Sequence, residues 1–211
     1  MLGKSSAIAA MEKLLRENYS PVYRDEKENV ASAIEFFLAR INARGETAQS
    51  ILDETVKTIH RSFNFQYISI ALRDKDGIYR YKVASGVSAI SKKTLFSLCI
   101  SETDLLDQSA YPNTSTSDIT TFFMSENEPY KPDEALSFPR PQMLSQVREH
   151  PDDMLEGDFI EFFFRNRSNR IIGFIEVGEP RSKQLPKREI ITWLELIATL
   201  LGAVLCDRVE G

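Results

Sequence analysis

The sequence predicts an α+β domain built on an antiparallel sheet, and three observations carry that prediction. Apolar residues recur at helical spacing through the first sixty residues and again after Pro186. Between these stretches lie β-rich runs joined by short polar turns, Asp74-Lys-Asp-Gly77 and Asn166-Arg-Ser-Asn169. Hairpin-linked strands grouped between helices favour an antiparallel layer over a doubly wound parallel one.

In chain order, Ser5 to Asn18 places Ile8, Met11, Leu14 and Leu15 on one helical stripe, broken at Tyr19-Ser-Pro-Val22. A second helix is predicted from Asp25 to about Ala43, with Val30, Ile34, Phe37, Leu38 and Ile41 on its apolar face and Gly45 as its stop. A third, Glu46 to Phe63, aligns Ala48, Ile51, Leu52, Thr55, Ile59 and Phe63. The period then changes. Gln66–Arg73 and Ile78–Ser85 read as strands, the second alternating apolar with polar residues as a half-covered strand does. Ser91 to Leu98 fits a short helix or a strand equally, and Ser101-Glu-Thr-Asp104 has the form of a capping box.

From Leu105 to Gly157 the pattern is irregular. One strand, Ile119–Met124, stands among Pro112, Pro129, Pro132, Pro139, Pro141 and Pro151. A connection of that length inside a compact domain is a binding loop or a disordered one. Regularity returns with strands Asp158–Arg165 and Arg170–Val177. A Gly-Glu-Pro180 exit follows, then a long apolar helix with Pro186 at its first position.

Composition sets the outer bounds. The 211 residues allow one ample domain with an extra segment, and 42% hydrophobic residues can fill a sizeable core. A net charge of −5 without a clustered basic face argues against nucleic-acid binding. Two cysteines, Cys99 and Cys206, are too few for a disulfide framework and imply a reducing, cytoplasmic setting. Asn113-Thr-Ser and Asn166-Arg-Ser match the glycosylation acceptor pattern by chance in such a setting. The start of the chain has no apolar secretion signal. Ile190–Cys206 is an apolar run of 17 residues containing Glu195, short of the roughly 20 a bilayer asks for. It reads as a buried helix.

Several residues in the second half carry a family likeness. Pro151-Asp-Asp153, Asp158 to Phe164, Ile171-Ile-Gly-Phe-Ile-Glu-Val177, Glu179-Pro180, Pro186 and the helix Glu189–Asp207 resemble the closing half of a GAF domain. The likeness is to those of archaeal and bacterial multi-domain sensors, including sensor histidine kinases. The helix ending near Phe63, strand Gln66–Arg73, the Asp-Gly turn and Tyr81-Lys-Val-Ala-Ser-Gly86 resemble the opening half. The match runs from Glu46 to Arg208 and divides the chain into an N-terminal helical extension, 1–45, and a GAF-like domain, 46–211. The resemblance implies a profilin-like sheet of five or six antiparallel strands. The N- and C-terminal helices would pack on one face, and a small-molecule pocket would lie on the other beneath the irregular middle segment. Such domains sense cyclic nucleotides, bilins, haem or small metabolites and relay the change through terminal helices to an output domain or partner. Cys99, in Phe96-Ser-Leu-Cys-Ile-Ser101, lacks the neighbouring His of bilin-attaching members. One cysteine in the middle segment is too few for the methionine-sulfoxide-reducing members, and the cyclic-nucleotide signature is missing.

Candidate site residues follow. Phe96, Cys99, Phe122, Phe123, Asp153, Phe162 and Phe164 are the expected pocket residues. Strand alternation sends Phe162 and Phe164 to one face and Phe163 to the other, so one of these faces is ordinary core. Asp152, Asp153, Glu156 and Asp158 form an acidic cluster that reads first as a solvated loop and second as a cap or a ligand anchor. His60 and His150 are the only histidines. His60 suits a helix end, where a cation complements the dipole, and it shares with Cys99 the role of haem ligand in a redox- or gas-sensor alternative. Cys206 reads as a small core residue. No pair among these four has metal-ligand spacing, and no phosphate loop, nucleophile elbow or catalytic triad is visible. The expectation is a non-catalytic sensor, with a ligand-free dimerisation scaffold as the other alternative.

The closing helix is apolar on two sides. Ile190, Leu194, Ile197, Leu201, Val204 and Leu205 form one stripe; Trp193, Leu196, Leu200 and Ala203 form another. Burying Trp193, Leu196 and Leu200 is worth on the order of 5 kcal/mol or more. The sheet covers one stripe, and either the N-terminal helices (Ala7–Leu15 or Val30–Ile41) or a second subunit covers the other.

Overall fold

Six strands form one sheet in a computed structural model that describes residues 26–41, 46–107, 113–125, 132–144 and 146–209. The predicted helix Ser5–Asn18 and the Gly45 stop lie outside the described residues. In chain order the elements are α1 (Glu26–Ile41), α2 (Ala48–Phe63), β1 (Phe65–Arg73), β2 (Tyr79–Ser85), α3 (Ala89–Ser97) and α4 (Glu102–Leu106). There follow β3 (Asn113–Ser115), β4 (Thr120–Phe123), the short α5 (Pro132–Ala135) and a 3-10 turn at Pro141–Met143. Strands β5 (Phe159–Arg165) and β6 (Ile171–Pro180) and helix α6 (Arg188–Val209) close the chain. The strand order is β2-β1-β6-β5-β4-β3, with every neighbouring pair antiparallel.

Local chemistry sets the element ends. Thr47 caps α2 through its side chain, which accepts from Ser50 N at 3.1 Å, and Asn64 ends the helix in the left-handed conformation, φ 58°. The ambiguous stretch after Gly86 is helical, α3, capped by Ser88, and Ser101 and Asp104 form the predicted capping box of α4. Pro186 is not the first residue of the closing helix. Ile190 and Ile191 donate to the Lys187 carbonyl, so Lys187 is the cap and Pro186 precedes it. The Gly-Glu-Pro180 exit belongs to β6, because Tyr67 and Phe65 of β1 continue to pair with Gly178 and Pro180.

Two bulges decide which face several side chains take. Opposite Ile70 and Ala71 the register skips Lys82, which turns Val83 to the helix side while Tyr79 and Tyr81 stay on the other. Opposite Phe164 and Arg165 it skips Ile172, which separates Ile172 from Phe174 in the same way. The helix side carries the main core. Phe37 and Ile41 of α1, Ile51 and Ile59 of α2, Ile68 and Ile70 of β1, Phe162 and Phe164 of β5, and Leu194, Ile197 and Leu201 of α6 are all at most 1% exposed within it. The opposite face carries a smaller aromatic cluster, in which Tyr79, Tyr81 and Phe163 surround Phe174 with ring centroids 5.8–6.5 Å apart.

Helix α6 is longer than the apolar run suggested: 22 residues, long and apolar enough by composition to cross a membrane over Arg188–Cys206. Its Leu194, Ile197, Leu201 and Leu205 are wholly buried beside β5 and β6. A Cβ added to Gly202 would stand 2.4 Å from the Arg165 carbonyl oxygen, so only glycine allows helix and strand this close. Glu195, the one acid within the apolar run, accepts hydrogen bonds from Ser117 and Thr120 Oγ atoms, both at 2.8 Å, and ties α6 to the β3–β4 hairpin. Of the second stripe, Trp193 and Leu200 are half-buried, Leu196 is 39% exposed and Ala203 is exposed.

Candidate functional site

The sheet face opposite the terminal helices holds a cavity of about 290 Å³. Its floor is β-sheet: Tyr67, Tyr81, Phe123, Phe159, Glu161 and Glu176. Leu95, Leu98, Cys99, Ile100, Asp104 and Leu105 wall it from α3, α4 and the turn between them. Glu134, Ser137 and Phe138 of the irregular middle segment form the roof.

That roof is held down by named bonds. Ser91 Oγ donates to the Phe138 carbonyl at 3.0 Å. Arg140 donates its backbone N–H to Glu156 Oε1 at 2.7 Å and its Nε to Glu156 Oε2 at 2.9 Å, and its Nη2 reaches Glu179 Oε2 at 2.9 Å. Burial and the Glu156 charge raise the Glu179 carboxyl to about 7. Asp158, 6% exposed, accepts from Ser125 N and Oγ, from Leu155 N and from Arg148 Nη2 at 2.7–3.0 Å. The acidic cluster is thus divided: Asp152 is exposed and Asp153 half-buried, as in a solvated loop, whereas the other two acids are not. Glu156 and Asp158 are buried anchors of the chain itself, where they satisfy backbone N–H groups that burial would otherwise orphan.

The floor contains the chemistry the sequence reading missed. Glu161 and Glu176 are direct cross-strand partners on β5 and β6, each 5% exposed. Glu176 is well solvated by the protein: Tyr67 Oη and Ser69 Oγ donate to Oε2 at 2.9 and 2.6 Å, and Tyr81 Oη donates to Oε1 at 2.5 Å. Glu161 receives a single long bond, 3.3 Å from Thr121 Oγ1. Burial raises both carboxyls above the usual range, and for Glu161 the facing Glu176 charge adds to the effect. Burial and Glu176 likewise push the Tyr81 phenol well above its ordinary value. The signal was present in the sequence, since each glutamate interrupts an otherwise apolar buried strand. Which face each takes, and that they meet, depends on strand register.

The predicted pocket residues separate. Cys99 and Phe123 line the cavity, Cys99 at its exposed rim and Phe123 stacked on Phe159 with centroids 4.4 Å apart. Phe162 and Phe164 do not line it; they lie in the main core under the helices, and Phe122 packs on that same side. Phe96 stands outside on α3, 37% exposed with Lys92 Nζ 5.3 Å from its ring centre. Asp153 is also off the cavity, where it accepts from the Glu149 and His150 N–H groups and pairs with Gln184.

Haem does not fit these residues. At about 290 Å³ the cavity is at the small end of the ~300–1,000 Å³ of ligand pockets, and its two buried acids would repel the carboxylates of a porphyrin. His60 Nδ1 instead contacts the Phe65 carbonyl at 2.9 Å at the end of α2, outside the cavity. Among the described residues no three His, Cys, Asp or Glu side chains are grouped to hold a metal ion.

No family model and no curated protein matches this sequence. Solved structures do match the fold. The GAF domain of a phosphoenolpyruvate-protein phosphotransferase from Coxiella burnetii superposes with a TM-score of 0.56 at 13% identity, covering 87% of this chain and 97% of that one. That of an Acinetobacter phosphoenolpyruvate-protein phosphotransferase gives 0.54 at 14%, covering 84% and 92%. A domain ascribed to a two-component sensor histidine kinase of Sinorhizobium meliloti 1021 gives 0.52 at 15%, covering 79% and 95%. The chain has the GAF fold, an α+β open sheet of six antiparallel strands with helices.

Proposed function

We propose that this GAF-fold chain is a non-catalytic sensory module that binds a small molecule between its sheet and the roof segment. It would pass occupancy to a signalling output through the terminal helices. The carrying observation is the 290 Å³ cavity on the face opposite those helices, roofed by a segment that Ser91 and Glu156 hold at Phe138 and Arg140. Ligand contact with Tyr67, Glu161 and Glu176 loads β1, β5 and β6, and the other faces of these strands support α2 and α6. A ligand that favours one packing of those helices shifts their equilibrium by its differential affinity. The half-exposed stripe of Trp193, Leu196 and Leu200 is the surface through which α6 meets a second copy of the chain in this reading.

The similarity to GAF domains of sensor and phosphotransferase proteins supports a regulatory role. Leu98→Trp, a half-buried lining position, is expected to fill the cavity without unfolding the domain. A thermal-shift screen of a metabolite set should raise Tm for the unmodified chain and not for this variant. Equal shifts in both, or none in either, would remove the pocket from the reading.

A further inference from the structure

We propose that the cavity selects a small organic cation, an ammonium or amidinium on an apolar body, and that Glu161 is its counter-ion. This deepens the sensory reading and rests on it. The sign of the charge comes from the lining: Glu161, Glu176, Asp104 and Glu134 contribute carboxylic acids, and no Lys, Arg or His side chain is among the described lining residues. Of the described cations, Arg80 is committed to Asp74 and Asp76, and Arg140 to Glu156 and Glu179.

Glu161 is the incomplete member. Two carboxylates directly opposite each other on neighbouring strands repel, and folded sheets avoid the pairing unless something compensates it. Glu176 has three hydroxyl donors; Glu161 is 5% exposed with one long bond, and its Oε1 has no partner among the described residues. That oxygen belongs to a cavity-lining side chain. Five aromatic residues, Tyr67, Tyr81, Phe123, Phe138 and Phe159, line the same space. Aromatic faces beside a carboxylate suit alkylammonium groups, because the ring quadrupole attracts the cation while the ring buries its methylenes. An anion entering here would meet Glu161 and Glu176 with no compensating charge among the described lining residues. The cavity volume of 290 Å³ holds about ten non-hydrogen atoms at the ~30 Å³ that each water occupies in the liquid.

Binding moves a proton. Thr121 on β4, Glu176 on β6, and Tyr67, Tyr81, Asp104 and Glu134 around the cavity are the polar groups near Glu161, and none of them carries positive charge. Burial and the facing Glu176 therefore hold the Glu161 carboxyl of the empty cavity well above its ordinary range; an arriving cation stabilises the carboxylate, and a proton held by the empty site leaves to buffer.

The test is calorimetric titration of the full chain with 2-phenylethylammonium, 2-phenylethanol and phenylacetate, probes of similar size and different charge. The ammonium should bind at least about tenfold tighter than the alcohol, as expected for a charge-assisted bond replacing a neutral one, and phenylacetate should give no heat. Affinity for the ammonium should rise from pH 5.5 to 8.5. Titration in two buffers of different ionisation enthalpy should show net proton release, a readout that needs no variant. Glu161→Gln, nearly isosteric, should weaken the ammonium about tenfold or more and abolish that release. Equal or tighter binding of the alcohol or the acid, unchanged binding by Glu161→Gln, or proton uptake overturns the cation. If the alcohol or acid binds and Leu98→Trp abolishes it, the pocket stands without the cation. Silence from all three probes overturns the cation, and silence from a metabolite set as well overturns the pocket.

Discussion

Replacing Glu161 with Gln should make the protein more stable at high pH, and replacing Glu176 should make it less stable. The facing carboxylates are chemically alike and differ only in surroundings. Paired cross-strand Cβ atoms are ~5 Å apart, so two ionised groups at an effective dielectric constant of ~20 repel by about 3 kcal/mol. Both carboxyls sit above the ordinary glutamate range in the folded state, so the native state binds more protons than the unfolded chain as pH rises through that range. Stability contributed by these groups is therefore present at low pH and lost as pH climbs toward their raised folded values. Glu161→Gln removes one of the two and forfeits only a 3.3 Å bond. It should gain about 1–3 kcal/mol at pH 8.5, the upper end being full relief of the repulsion, and little at pH 5. Glu176→Gln strips the charge from three donors, Tyr67, Ser69 and Tyr81. One amide oxygen accepts at most two of them, so at least one charge-assisted bond of about 1.5–3 kcal/mol disappears. Urea denaturation of the three proteins at pH 5 and 8.5 measures all of this. The Glu179–Arg140–Glu156 contribution is common to all three and subtracts out. Glu161→Gln less stable than the unmodified protein at pH 8.5, or Glu176→Gln more stable than Glu161→Gln, would refute the assignment of environments.

Other expectations rest on separate contacts. Gly202→Ala puts a methyl 2.4 Å from the Arg165 carbonyl and should destabilise by about 1–3 kcal/mol, seen as a lower calorimetric Tm. Arg140→Ala leaves the Glu156 carboxyl, on a side chain 1% exposed, without its guanidinium partner; because the arginine itself is partly solvated, the loss should be about 2 kcal/mol, below that for a fully buried pair. Hydrogen exchange over residues 134–140 should quicken in that variant, and a change spread evenly over the sheet would contradict the role of Arg140 as a roof staple. On the proposed α6 contact between two copies, the unmodified chain should scatter as a dimer and Leu196→Glu with Leu200→Glu as a monomer without lower melting of the main core, and an equal mass for both would remove α6 as the contact.

Periodicity and turn chemistry made the layers legible. Ile51, Leu52, Ile59 and Phe63 repeat at helical spacing because a helix has one face to bury, and Asp74–Gly77 and Asn166–Asn169 are turns because their residues tolerate turn backbones. The alternation of Phe162, Phe163 and Phe164 was likewise readable, but the face that meets helix α6 was not. Local pattern says that two faces differ, and it carries no label for which one is covered.

The composition of each strand and helix was determined by the sequence through interactions a few residues long. The site was decided by tertiary structure, since Glu161 and Glu176 become a pair only when β5 and β6 adopt their register. Two bulges, at Lys82 and Ile172, choose which side chains join each face. Such a choice comes from the balance of packing and hydrogen bonding over the whole sheet, where a slip of one residue exchanges core for cavity.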